Sequence, residues 1–499
     1  MSGNNISYQP NLVMNFPKVI NNKDYGNYCK LLDRIDELLK SSGIESEFLD
    51  CHISTMVAEK REILNDPQAF LTRAELQRFS SYAIRALRCN IVGILLGESL
   101  RDLSVRIAES YVLQKFCHVS DIYQIHVPSK SLLGDFRNTF STERIQTVVD
   151  RLIEMATGSE NILELQDPLD TREVYIDCTC LENNIHFPVD WLLLRDGVRT
   201  IIKSILVIRK HGLRHRIGRP EEFLRQVNKL CIEMNNTRRK KGAKKSRKKI
   251  LRKMKRLSRI VESHGHRYVN VLQTRFEESD LTAGEAKKII RRLSNVLDQL
   301  PQAREQAHRR IISEKQLKND EKLLSLYDDV VSVIKRGKSN AEVEFGNELF
   351  LAEQKNGLII DWQLYGNPIP TDTKKFPEFI DRLSDKQLYV SDISSDRGFF
   401  SKRNQKLLDK NKMNSFLCPR DPAVLQESMQ DETFRSHQRR RSQTEGRMSI
   451  VKNNFTLNPV RSRVFDYRQR HVAWAILSHN LWVLARLPKA VTAQIALPA

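Results

Sequence analysis

The chain has 499 residues, 40% of them hydrophobic, too long for one core and apolar enough to fill several, so roughly two to four domains are expected. A formal charge of +21 and a pI near 9.6 call for an anionic partner, nucleic acid ahead of lipid headgroups. The eight cysteines are scattered without CxxC pairs, which argues against a disulfide framework and a zinc module, and no stretch approaches the ~18 consecutive apolar residues of a membrane span.

The polar start MSGNNISYQP is unlike a signal peptide, so a cytoplasmic location is expected, and residues 1–50 read as an N-terminal arm. Residues 51–165 carry helical periodicity with few glycines and predict an all-helical domain. Within it, VPSKSLLGDFRNTFSTERIQTVVDRLIEMA offers a proline break and Ser129 or Ser131 as an N-cap. A second helix start follows at Ser141, where Arg144 completes only half a capping box. Short helices joined by a tight turn, with Lys130 and Arg137 projecting, suit a helix-turn-helix DNA reader as well as plain helix packing.

REVYIDCTC then predicts a strand that delivers Asp177 to a sheet edge, opening a sheet domain over 166–201. From 202 to 325 the pattern is again helical, long and polar. Its run RRKKGAKKSRKKILRKMKR holds 13 basic residues in 19 positions and no acid. Arg238, Arg239, Lys240, Lys241, Lys244, Lys245, Arg247, Lys248 and Lys249 are candidate phosphate contacts there, a solvated tail being the other reading.

Strand patterns return in VVSVIKRG, AEVEFGNELFLAEQ, GLIIDWQLYG and KQLYVSDISSDRGFF, with a helix TKKFPEFIDRL among them and two closing helices. The fold class this order predicts is α+β or α/β: a mixed sheet flanked by helices over 166–201 and 326–499, interrupted by a basic helical insertion. Asp396 follows a strand pattern as Asp177 does. In RSQTEGRMSIVK, a helix advancing ~100° per residue sets Arg441, Glu445 and Lys452 at about 0°, 40° and 20°, on one face. An ordinary Arg441–Glu445 salt bridge explains that pair alone. Three gathered carboxylates would repel one another unless a cation joined them, and hard oxygen donors suit Mg²⁺ or Mn²⁺. Two such ions about 4 Å apart can cleave a phosphodiester.

The spacing Arg441-x3-Glu445-x6-Lys452 resembles the Y-x2-R-x3-E-x6-K signature of bacterial insertion-sequence transposases of the DDE type, although position 438 is Gln where that signature has Tyr. IDCTCLENNIHFPVDWLLLRD and SDRGFFSKRN are similar to the blocks around their first and second catalytic aspartates. SLYDDVVSVIKRGK, EFGNELFLAE and AWAILSHNLWVLARL extend the resemblance over most of residues 80–490. It implies a ribonuclease-H-like catalytic core, a triad of Asp177, Asp396 and Glu445 holding two Mg²⁺ or Mn²⁺ ions, and Arg441, Lys452 and Arg397 on phosphates. It also implies DNA partners (terminal inverted repeats and target DNA), strand cleavage and strand transfer, a homodimer in the synaptic complex, and a nucleoid-associated setting without nucleotide cofactor. Only 49 residues separate Asp396 from Glu445, too few for the β-rich insertion many relatives place there.

Other readings stay open at this stage: a resolvase-like nuclease of the same fold, or a non-catalytic DNA-binding repressor. Asp392 competes with Asp396, while Asp190, Asp361 and His186 read as structural. Cys178 and Cys180 read as core, their soft thiolates being poor partners for Mg²⁺. Trp191, Trp362, Trp474 and Trp482 read as core by default, base stacking being the alternative.

Overall fold

The computed structural model describes residues 19–237, 242–328, 330–338, 341–462 and 464–490, and the expected contacts Arg238, Arg239, Lys240 and Lys241 lie outside them. The chain divides into two compact units. The larger comprises residues up to Leu181, Glu348–Tyr365 and Pro370 onward; the smaller comprises Glu182–Asn347 and Gly366–Ile369.

The larger unit begins with seven helices: α1 (Lys23–Ser41), α2 (Ile44–Leu64), α3 (Arg73–Leu96), α4 (Leu100–Glu109), α5 (Tyr111–Phe116), α6 (Lys130–Asn138) and α7 (Thr142–Thr157). Their ends follow local chemistry. Thr72 and Glu75 form a reciprocal capping box on α3, Gly97 ends it in the left-handed region, and Ser129 and Ser141 cap α6 and α7. The expectation of an arm to residue 50 is corrected here. Leu32, Ile35, Leu38 and Leu39 of α1 recur at helical spacing and are buried, as are Phe48 and Leu49 of α2. Nor do residues 51–165 form a separate compact domain, because their apolar side chains share one continuous core with the strands. Helix α3 is long and apolar enough to cross a membrane, and two-thirds of its apolar window is buried inside this core.

Strand β1 (Glu173–Glu182) leads into the smaller unit, built from α8 (Asp190–Lys210), α9 (Pro220–Asn236), α10 (Ala243–Thr274) and α11 (Ala283–Ala307). Their apolar stripes meet in a second core that includes Leu194, Ile201, Leu251, Val261 and Leu293. The basic run therefore belongs to an ordered helix over its described part. Apolar Ile250, Leu251 and Met254 hold α10 down, which offsets the repulsion among its lysines.

The sheet is mixed, as the alternation of strands and helices predicts, and among the described residues it has six strands. It contains β1, β2 (Ser332–Lys338), β3 (Ala341–Gln354), β4 (Ile359–Tyr365), β5 (Asp392–Ser395) and β6 (Asn414–Leu417). The order is β2-β3-β1-β5-β6, with β4 also on β3. Strands β2 and β4 run antiparallel to β3, whereas β1, β5 and β6 are mutually parallel. Helix α12 (Asp372–Asp385) precedes β5, and α13 (Lys402–Lys410) connects β5 to β6 as a parallel crossover must. Helices α14 (Pro422–Ser428), α15 (Glu432–Ile450) and α16 (Phe465–Leu484) close the chain. Helix α16 is apolar nearly all round and is a core helix; Asn480 on it clamps β4 by bonding both the N–H (3.0 Å) and the C=O (2.8 Å) of Ile359.

Candidate active site

Parallel pairing of β1 with β5 brings the two predicted aspartates together. Glu173, Val174 and Tyr175 face Asp392, Ile393 and Ser394 in register. Two further residues along that register set Asp177 beside Asp396, with neighbouring strands ~4.8 Å apart. Asp392, the alternative ligand, sits at the opposite end of β5, where its carboxylate accepts a 2.7 Å bond from Asn414. The strand direction decides between them in favour of Asp396.

Helix α15 carries Glu445, the third acid of the expected triad. It is held against the sheet by side chains at helical spacing: Phe434, His437, Thr444 and Met448 are buried. The His437 ring stacks on Phe416 of β6 at 3.8 Å and shares a hydrogen bond with Ser394 (3.0 Å), and the Gln438 amide donates to the Phe416 carbonyl. Lower on the helix, Arg440, Thr444 and Arg447 converge on the buried carboxylate of Glu353 in β3, at 3.0, 2.8 and 3.2 Å. So anchored, α15 sets Arg441 toward the aspartates and leaves Glu445 68% exposed, with Arg441 Nη1 3.8 Å from Glu445 Oε1.

The electrostatics join these residues into one site. The Asp177 carboxyl is pushed up to about 7, by burial first and then by the charges of Asp396 and Glu445, against the lowering effect of the Cys178 backbone N–H and the Arg441 guanidinium. Asp396 is also raised, by burial first and by the charge of Asp372; the Gly398 N–H (2.9 Å) and Arg441 oppose the rise. Asp177, Asp396, Glu445 and Arg441 thus feel one another, and Asp177 makes no ion pair among the described residues. Gly398 is required here. A Cβ on it would stand 2.5 Å from Asp372 Oδ2 and 3.0 Å from Asp396 Oδ1.

Asp372 is the residue sequence reasoning missed. It opens α12 after the N-cap Thr371 and looks there like any first-turn acid. Beside it Lys375, 1% exposed, donates to Asp372 (2.8 Å), to Glu348 and to the Cys178 thiol (3.6 Å). Cys178, Glu348 and Asp372 are close enough to hold a metal ion, but the lysine ammonium already fills that cluster. Asp177, Asp396 and Glu445 offer the hard carboxylate oxygens that suit Mg²⁺, but they do not draw their oxygens within 4.8 Å of one another as that cluster does.

Other predicted residues divide. Arg397 is exposed beside Asp396. Lys452 does not continue the α15 face, because the helix gives way at Val451 to a π-helical turn over Val451–Phe455, which changes the angular step. Lys130 is exposed at the start of α6. Arg137 does not project as expected: it follows the buried Phe136, is half-buried, and has a lowered pKa from burial and the charge of Arg461. Lys245 and Lys249 are exposed, Lys244 and Lys248 pair with Glu314 at 3.2 and 2.8 Å, and Arg247 lies over the Trp191 ring. Asp190 and Asp361 are structural, paired with Arg310 and with Arg382 and Lys386. His186 is exposed, Cys180 is core, and so are Trp362 and Trp474. The half-buried Trp482 has Arg486 over its ring, 4.3 Å from the centroid.

In comparisons with known proteins, no protein-family model, no curated protein and no solved structure matches this chain.

Proposed function

We propose that the chain is a DDE-type transposase with a ribonuclease-H-like catalytic core, which binds element-end DNA and carries out metal-dependent strand cleavage and strand transfer. The observation that carries this reading is the pair Asp177, in the middle of β1 rather than at the strand end the sequence suggests, and Asp396, just past the end of the parallel neighbour β5, both half-buried and without an ion-pair partner among the described residues, with Arg441 and Glu445 presented to them from a helix. The buried acids Glu353 and Asp361 of the same unit are met by arginine or lysine, whereas acids raised in pKa by burial and like charge are candidates for chemistry. A mixed sheet with acids on two adjacent parallel strands supports the ribonuclease-H-like part of this reading.

Asp177, Asp396 and Glu445 would hold Mg²⁺ or Mn²⁺. Two bound ions supply an activated water and stabilise the leaving oxygen of a phosphodiester. Water oxygen would bond to phosphorus as the bond to the 3′ oxygen breaks, leaving a 3′-hydroxyl at the element end and a 5′-phosphate on the flank. That hydroxyl would then displace a 3′ oxygen of target DNA by the same geometry, losing its proton as it attacks. Arg441, already ion-paired with Glu445, limits the repulsion among the three acids. The exposed cations Arg397, Lys130, Lys245 and Lys249 would track phosphates, a sequence-independent contribution that weakens with salt. Joining two element ends calls for at least two copies of the chain.

The test is purified protein with DNA from the ends of the element flanking its coding region, with and without Mg²⁺. The reading expects a strand break at the 3′ side of the end, joined product with target DNA, and loss of both in Asp177→Asn and Glu445→Gln while DNA binding persists. Cleavage of branched DNA regardless of end sequence, with no joining, would instead make the chain a resolvase-like nuclease. Unchanged activity in both variants would sink the triad.

A further inference from the structure

The smaller unit contains a cleft of about 650 Å³, formed where the segment Phe187–Trp191 meets the first turn of α10 and the chain after α11. Its charge is lopsided. Lys244, Arg247, Arg310, Lys315 and Lys322 line it against two acids, Asp190 and Glu314. Both acids are already matched. Asp190 Oδ1 takes bonds from Arg310 (2.8 Å) and Gln306 (3.0 Å), and Glu314 is held by Lys244 and Lys248. Arg247, Lys315 and Lys322 remain without a carboxylate partner among the described residues.

Two further features favour an anion. The cleft receives the N-terminal ends of α8 and α10, whose N-caps, Val189 and Gly242, make no side-chain cap bond, so both helices direct the positive end of their dipoles there. Two residues of the lining also carry a donor without an acceptor, the indole N–H of Trp191 and the Nε of Arg247, both sealed from solvent where the guanidinium lies over the indole ring, 5.0 Å from its centroid. Lys322 feels the same field, its pKa lowered by partial burial and by the charges of Arg310 and Lys335. Size and rim narrow the class. The volume far exceeds a bare phosphate and fits a small organic ligand, and Phe187 at the edge is 73% exposed, a planar apolar surface beside the cations.

We propose that this cleft binds a nucleotide, its phosphate held by Arg247, Lys315 and Lys322 at the two helix N-termini and its base lying on Phe187. The phosphate ester comes either from a free nucleotide or from the phosphorylated end of a nucleic-acid strand. This assignment is independent of the carboxylate site and of any cleavage activity.

The experiment titrates the full-length protein, without divalent metal, with 5′-dAMP, adenosine, inorganic phosphate and a 5′-phosphorylated trinucleotide, following tryptophan fluorescence and, independently, heat of binding. Saturable binding of 5′-dAMP or the trinucleotide is expected, at least about tenfold tighter than adenosine or phosphate. The double substitution Lys315→Gln/Lys322→Gln should weaken it by about tenfold or more, as loss of two charge-assisted bonds implies. Trinucleotide binding tenfold tighter than 5′-dAMP assigns the strand end; equal binding assigns the free nucleotide. Phosphate or adenosine matching 5′-dAMP, or affinity indifferent to the double substitution in a folded variant, overturns the proposal.

Discussion

Glu353 and Asp177 are both acids set into the sheet of the larger unit, and their surroundings are opposite. Glu353, 2% exposed, is met by two arginines and a threonine hydroxyl, and Asp361, 1% exposed, by Arg382 and Lys386. Asp177 has one backbone N–H, from Cys178 at 2.7 Å, and faces two other acids. The first arrangement fixes α15 and α12 in place, since an unpaired buried charge would be too costly. The second leaves a cost uncompensated within the chain, which only an external cation or protonation removes. Compensation therefore separates framework from site more clearly than burial does.

The contrast can be broken most sharply at the chemistry. On the proposed reading, Asp177→Asn or Asp396→Asn lowers Mg²⁺-dependent strand cleavage on the order of 10³-fold, the worth of several kcal/mol of charge stabilisation. Gel assays on element-end DNA read this directly, and residual activity near wild type would place the site elsewhere.

Stability should show the reverse ranking. Glu353→Gln strands Arg440 and Arg447 and should cost about 3–5 kcal/mol in urea denaturation. Asp177→Asn should cost nothing or stabilise the metal-free protein. Equal damage from the two substitutions would erase the distinction between them.

A pH series sharpens the same point. Asp177 titrates near its ordinary value of 3.8 when unfolded and at about 7 when folded, so between those values the folded state binds the extra proton. Its contribution to stability is thus present below pH ~4 and is lost as pH rises to 7, by at most about 4 kcal/mol. Thermal melts without metal should follow that slope, Mg²⁺ should offset it near pH 7, and Asp177→Asn should flatten it. The smallest effect belongs to Arg441→Gln. Its pair with the exposed Glu445 is worth under about 1 kcal/mol of stability. Loss of the guanidinium should nevertheless move the Asp177 titration upward, visible as a shift of the melting profile to higher pH. A profile that stays put would detach Arg441 from the site.

Much of the larger unit was legible because local signals there are strong. Strand alternation marked β1, β3 and β4, and spacing put Arg441 and Glu445 one turn apart. The misses share a cause. Strand β6 has four residues, too few for a pattern, yet it closes the parallel side of the sheet. Helix α1 reads as an arm in the sequence because its stripe of leucines is interleaved with charges, and its apolar face is defined only when α16 and the neighbouring helices cover it. Asp372 carries the signature of a first-turn acid, and the fold brings it near Asp396 across 23 intervening residues.

By itself the sequence determined the alternation of helix and strand, the basic character of α10 and the identities of three acids that could share a cation. These are properties of periodicity and charge, which act over a few residues. The tertiary structure alone decided that Asp396 rather than Asp392 stands beside Asp177, that Lys452 leaves the helical face and that two helix N-termini open onto one cationic cleft. Strand register and helix docking are set by packing between segments hundreds of residues apart, and no local window contains that information.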